Sequence, residues 1–161
     1  MYLNKANLFL VISICLIFFF LTYNDVKSQE PKIISGIAKV VDGDTIKIGK
    51  NKIRLLGIDA PEKKQQCQKP WLSIFFLTFN KDYKCGEIST NKLKIKINNK
   101  LVMCKSNNKD RYNRFIAECF KDKININKWM ISNGYAVAYR KYSKKFISQE
   151  NLAKKEKLGI W

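Results

Sequence analysis

The residues best suited to chemistry lie in two short stretches. In "VVDGDTIKI", Asp42 and Asp44 flank Gly43, and Thr45 opens an alternating strand pattern. In "IRLLGIDAPE", residues 53–62, Arg54 is followed by Asp59, Ala60, Pro61 and Glu62. Pro61 holds Ala60 extended and forbids a continuing helix, so Asp59, the Ala60 carbonyl and Glu62 belong to a turn that leaves a strand and can aim oxygens at one point. If the two stretches pair as a hairpin, Asp44 at the start of one strand and Asp59 beyond the end of its partner converge at the same end of the sheet. Oxygen donors in a chain without histidine are the set that a hard cation such as Ca²⁺ or Mg²⁺ prefers. Arg54, pointing away from Ile53 and Leu55, can meet phosphate oxygens with a bidentate fork. Arg114, in "DRYNRF", can approach from another side, and Glu62 is then the carboxylate left to orient or deprotonate water. Each acid also has a plainer use: Asp-Gly is a common turn dipeptide, and Asp before Ala-Pro makes an Asx turn. Both motifs in one hairpin, with an arginine between them, favour chemistry.

The elements that must position these groups read as short antiparallel strands. Alternating apolar and polar residues predict strands over 32–41, 45–48 and 52–56, the last two joined by the tight turn "GKN". Two more are predicted over 100–104 and 115–120, joined by "KSNNKDRYN". Five such strands predict a small closed or partly closed barrel. Helices come late: "NKWMISNG" stops at Gly134, and a polar helix over 143–158 stops at Gly159. "GEISTNKLKIKINN" is ambiguous, because Leu93, Ile95 and Ile97 alternate like a strand while Ile88 and Ile95 share a helical face. The apolar run "PWLSIFFLTFN", residues 70–80, is too short to span a membrane. It reads as a buried extra element or a membrane-touching loop, and burial is the commoner fate.

Composition bounds the partners. Lys and Arg outnumber Asp and Glu by 31 to 13, for a formal net charge of +18, which points to polyanions such as nucleic acid. Only four of the cations are Arg, so a general bias toward Lys, Asn and Ile accounts for part of that charge. The apolar run "LFLVISICLIFFFL", residues 8–21, follows Lys5 and leads to "VKSQ". Residues 1–28 therefore read best as a secretory signal, with an uncleaved membrane anchor as the alternative, and residues 29–161 as one exported domain, secreted or periplasmic. Cys15 leaves with a cleaved leader, and Cys67, Cys85, Cys104 and Cys119 remain. An oxidising compartment permits two disulfides in any of three connectivities. Local geometry favours Cys67 with Cys85 and Cys104 with Cys119, the latter closing two apolar runs around a polar turn. A zinc site is disfavoured, since there is no histidine and no CxxC. No protein partner is implied, and a monomer is the expectation.

"VVDGDTIKI", "IRLLGIDAPE", "DRYNRFIAEC" and the closing "AKKEKLGIW" together resemble, in order and spacing, the motifs of the staphylococcal nuclease, or thermonuclease-like, family. The resemblance runs from about Ile34 to Trp161. It implies a five-stranded OB-fold barrel with helices, α+β in class, acting as a Ca²⁺-dependent phosphodiesterase, an endonuclease, on DNA or RNA. By the same resemblance Asp44, Asp59 and the Ala60 backbone carbonyl hold calcium, Glu62 is the general base, and Arg54 and Arg114 bind the phosphate and stabilise its extra charge. Asp42, with Thr45, supports the ligands from behind, and Arg111 and Tyr112 contact nucleotide phosphates. Many members carry threonine where this chain has Ala60, and "YGR" appears here as Tyr112, Asn113 and Arg114. Asn is the next best residue after Gly for a left-handed turn. The apolar insertion between Cys67 and Cys85 replaces a loop that is usually polar and lies where it can narrow or shield the site. The runner-up reading is a non-catalytic OB module that binds single strands through a basic groove. Binding alone gives no reason for acids facing a phosphate. A cationic protein held at a membrane by its N-terminus and "WLSIFFLTF" explains the charge but not the acids.

Overall fold

The computed structural model describes residues 9, 12–15 and 30–161. Residues 9 and 12–15 are helical and exposed; the leader assigned to 1–28 otherwise lies outside the described residues. Among the described residues no helix is long and apolar enough to cross a membrane.

The strands are β1 (Lys32–Val40), β2 (Thr45–Ile48), β3 (Asn51–Leu55), β4 (Ile58–Asp59), β5 (Cys67–Ile74), β6 (Leu77–Tyr83), β7 (Leu101–Lys109), β8 (Phe115–Lys121), β9 (Ile124–Asn125) and β10 (Val137–Ala138). The helices, numbered in chain order, are α1 (Cys85–Ile97), α2 (Ile126–Ser132) and α3 (Ile147–Lys155). The expected barrel is present: β3, β2, β1, β7 and β8 are hydrogen-bonded in that order, and a parallel pairing of β3 with β8 closes the circle. Alternation does what it should. Ile46 faces Ile53 across β2 and β3 with both fully buried, and Ile34, Val102 and Ala117 fill the same interior. β7 runs five residues beyond the predicted end and bulges between Ser106 and Asn108, where the Ser106 hydroxyl donates to the Asn108 and Ile116 carbonyls. Cys104 and Cys119 are opposite one another in β7 and β8 and form a disulfide.

The ambiguous segment is helical. In α1 the buried side is Cys85, Ser89, Leu93 and Ile97, one residue per turn, while Ile95 is 70% exposed and Ile88 is exposed as well. The apparent helical face of Ile88 and Ile95 is thus the solvent side. A second disulfide, Cys67 to Cys85, ties the start of β5 to the start of this helix. The helix predicted over 143–158 is shorter, Ile147–Lys155, because 143–144 are irregular, 145–146 make a turn before it and 156–157 a turn after it. Gly134 and Gly159 both adopt the left-handed conformation and press together: a Cβ on Gly134 would lie 2.0 Å from the Leu158 carbonyl oxygen, and one on Gly159 2.0 Å from that of Gly134.

The run over 70–80 is not buried. β5 and β6 form a separate antiparallel hairpin that stands out from the barrel, with Phe75 99% and Phe76 92% exposed at its turn. Short apolar runs are buried only when a neighbouring layer covers them, and among the described residues no layer packs on this one.

Candidate active site

Arg54 is the centre of the arrangement. It sits on β3 between buried Ile53 and Leu55, paired with Thr45 of β2 on one side and Ile116 of β8 on the other. Its guanidinium makes ion pairs with the carboxylates of both Asp44 and Asp59, the latter at 2.5 Å, and approaches the Ile58 carbonyl at 3.5 Å. The acids of the two stretches therefore meet at one end of the hairpin.

Local structure explains how. The Asp42 carboxylate accepts the Asp44 N–H at 3.1 Å, closing the tight turn, and the Thr45 hydroxyl donates to Asp44 Oδ1 at 3.0 Å. Gly43 fits because a Cβ there would lie 2.2 Å from the Ser89 hydroxyl and 2.6 Å from the Ala60 Cβ. Asp44 is 2% exposed and its Oδ2 accepts the Ala60 N–H at 2.9 Å. Burial pushes the Asp44 carboxyl up to about 7, against the downward pull of Arg54 and the Ala60 N–H, and Asp42 adds to the rise. Asp59 lies in β4, which among the described residues pairs with β10 alone, Asp59 opposite Val137. Glu62 is exposed, in a turn where Gln65 N–H donates to the Glu62 carbonyl at 2.7 Å and Glu62 N–H to Gln65 Oε1 at 3.1 Å. The N-terminus of α1 supports that turn, and only glycine fits there: a Cβ on Gly86 would lie 1.7 Å from the Glu62 carbonyl oxygen.

Arg114 reaches the same place from the turn before β8. Asp110 organises it: Oδ1 accepts the Tyr112 and Arg114 N–H groups at 2.9 and 3.0 Å, and Oδ2 accepts Arg114 Nε at 2.7 Å. Burial opposes ionisation of Asp110, but these hydrogen bonds and the charge of Arg114 outweigh it and hold the carboxyl below its ordinary value. Asn113 takes the left-handed conformation at φ 60°, as its place in the motif requires. The Arg111 and Arg114 guanidiniums lie 4.9 and 5.4 Å from the centre of the Tyr112 ring.

Arg54, Asp59, Glu62, Arg111, Tyr112 and Arg114 all line one open cleft of about 810 Å³. Asp44 stands behind it, joined through Arg54, with Asp42 and Thr45 behind Asp44. Residues of the 70–80 hairpin are not among those lining the cleft, so they do not narrow it. Among the lining residues that the sequence did not single out are Asp110, Tyr139, Lys141 and Tyr142. Asp110 was readable, since an acid four residues before an arginine across a tight turn can hold it. Tyr139 and its neighbours come from a distant segment carried in by the β4–β10 ladder and by buried Glu150, which accepts the Ala138 N–H at 3.2 Å and pairs with Arg140. Buried Asn127 was also missed. Its amide donates to the Leu56 and Ala117 carbonyls and accepts the Cys119 N–H, pinning α2 to the barrel seam beside Arg54.

The donor set suits a hard divalent cation. Two carboxylates are drawn around a single positive charge, the Arg54 guanidinium, and Ala60 is tied to Asp44. Among the described residues no three carboxylate, cysteine or histidine side chains form a metal cluster. A cation here would therefore draw on two carboxylates, a peptide carbonyl and water.

A model of the family described as Staphylococcal nuclease homologue matches residues 52–161. Asp44 precedes that match, so its place in the site rests on the geometry above. Over 141 residues the chain is 34% identical to the succinoglycan biosynthesis protein ExoI of Rhizobium meliloti, covering 86% of this chain and 69% of that one. It is 32% identical over 132 residues to an "Uncharacterized endonuclease" of Escherichia coli O157:H7, covering 78% and 74%. It is 29% identical over 150 residues to Endonuclease YncB of Bacillus subtilis, covering 84% and 64%.

Proposed function

Because this chain belongs to the staphylococcal nuclease homologue family, we propose that it is a Ca²⁺-dependent nuclease that hydrolyses phosphodiester bonds within DNA or RNA. The observation that carries this reading is the cleft shared by two arginines from separate elements, Arg54 and Arg114, and two carboxylates, Asp59 and Glu62. A phosphodiester gains charge on its nonbridging oxygens as water attacks, and a guanidinium that keeps its own carboxylate while facing the cleft is preorganised to accept it. Arg114 is so held by Asp110 through Nε, which leaves its terminal nitrogens for the phosphate. Arg54 exchanges its carboxylate partners for phosphate oxygens. Glu62, exposed at the cleft, takes the proton from the attacking water. Arg111 and Tyr112 meet the neighbouring phosphate. Asp44, Asp59 and the Ala60 carbonyl would hold Ca²⁺, which when bound neutralises the acids and polarises a phosphoryl oxygen. Two disulfides support an oxidising compartment, and with it an exported protein.

Cleavage of plasmid and of single-stranded DNA and RNA, with Ca²⁺ or with chelator, tests the proposal. Arg54→Ala is expected to lower kcat by about 10²-fold or more with a smaller change in KM. Near-normal turnover in that variant would overturn the role of Arg54, and undiminished cleavage under chelation the role of Ca²⁺. Binding without cleavage would favour the non-catalytic module.

A further inference from the structure

The β5–β6 hairpin has two chemically distinct faces. Cross-strand partners share a face, so the register sorts the ribbon completely. On one face lie the pairs Gln68 with Asp82, Pro70 with Asn80, and Ser73 with Thr78, whose hydroxyls are 3.3 Å apart. On the other lie Ile74 with Leu77, Leu72 with Phe79, and then Lys69 with Lys81. Phe75 and Phe76 cap the turn, and Trp71 is the extra residue of the bulge between Pro70 and Leu72. All seven apolar side chains from Trp71 to Phe79 are exposed.

We propose that this hairpin docks on an anionic lipid surface, with the Phe75–Phe76 turn and the Leu72, Ile74, Leu77 and Phe79 face entering the headgroup boundary. Three features select lipid. The apolar and basic residues of one face are segregated along the strand, apolar outermost, as a layered water–headgroup–acyl boundary requires. From Leu72 to Phe75 the strand rises about 10 Å, which matches the about 5–10 Å that amphipathic elements sink into that boundary. Lys69 and Lys81 are directly opposite each other, like charges that an anion against them would stabilise, with Lys69 also lying 5.4 Å from the centre of the Tyr83 ring. Exposed Lys63 and Lys64 lie at the base of the same hairpin, where Lys84 is paired with Glu87 at 3.3 Å. Trp71 at the rim suits the interface, where tryptophan concentrates. The open edges of a two-stranded ribbon forbid deeper insertion, because their unpaired peptide groups need water or headgroups. A base-stacking platform is disfavoured, since Leu72, Ile74 and Leu77 offer no rings. The disulfide from Cys67 to Cys85 transmits the docked orientation to α1, whose first turn packs against Glu62.

The test uses the full oxidised chain and vesicles of phosphatidylglycerol or phosphatidylcholine carrying brominated acyl chains. Residues 8–21 can bring the chain to a vesicle unaided, so the readout is quenching of Trp71 itself, taken as the difference between the parent and Trp71→Phe. Trp71 is expected to be quenched by phosphatidylglycerol vesicles and several-fold less by phosphatidylcholine. Phe75→Ser with Phe76→Ser is expected to weaken that quenching at least about tenfold in lipid concentration while leaving the thermal midpoint unchanged. Vesicle-bound chain with unquenched Trp71 overturns the proposal. So does a Trp71 emission already buried without lipid, which would mean that a second copy or residues 8–21 cover the face. Loss of oligonucleotide binding in the double variant with vesicle quenching intact overturns it as well.

Discussion

Between pH 5 and 8 the stability of this protein is expected to depend chiefly on Asp44. The chain has no histidine, so no other ordinary side chain titrates in that window. The unfolded chain ionises Asp44 near 3.8, whereas burial lifts the folded carboxyl to about 7, so its pair with Arg54 is fully ionic only above that pH. Between those values the folded state binds more protons than the unfolded one, so stability falls as pH rises. The interval spans about 3 pH units, and at about 1.4 kcal/mol per unit the full effect is about 4 kcal/mol. Between pH 5 and 8 about two of those units are crossed, worth about 3 kcal/mol, which for a domain of this size lowers the thermal midpoint by roughly 8 °C. Thermal and denaturant unfolding in the presence of chelator measure it directly. Asp44→Asn, which cannot ionise, is expected to flatten the slope whatever it does to absolute stability. Ca²⁺ favours the ionised carboxyl and is expected to raise the midpoint more at pH 8 than at pH 5. A midpoint that rises with pH over this range, or an unchanged slope in Asp44→Asn, would refute the reasoning.

Two further substitutions probe the supports of the cleft. Asp110→Ala removes the acceptor of Arg114 Nε and of two turn N–H groups. It is expected to lower kcat less than Arg114→Ala does. Because the Asp110 carboxyl is held below its ordinary value, the stability it adds is present above about pH 4 and fades as pH falls further, so parent and variant should converge in acid unfolding. Gly86→Ala forces a Cβ against the Glu62 carbonyl and is expected to cost about 1–3 kcal/mol or more, with kcat falling as Glu62 shifts; unchanged unfolding and turnover would contradict the close approach.

The barrel was legible because each of its strands buries alternate residues, and period-two patterning survives whatever the strand pairs with. The acids and Arg54 were legible because turn chemistry fixes where "DGDT" and "IDAPE" must bend. Other features depend on contacts that no local pattern encodes. Helix α1 misled because its buried stripe includes Cys85 and Ser89, leaving Leu93, Ile95 and Ile97 to suggest a strand. For the hairpin, apolar composition leaves burial and an exposed loop both open and favours the wrong one, because its sidedness becomes visible only once Leu72 is set opposite Phe79. Tyr139 and Lys141 reach the cleft through a two-residue ladder that the sequence does not announce.

Strand β3 has a hydrogen-bonded neighbour along both flanks, so the backbone beneath Arg54 has no free edge. Its amides should be among the slowest in the molecule to exchange with solvent, opening only when the whole circle opens. Glu62 and Tyr112, by contrast, stand on turns held by a few hydrogen bonds rather than by strands on both sides. The cleft thus has one fixed jaw and one adjustable jaw, and changes in the turns can retune which polymer is gripped without disturbing the guanidinium set in the wall.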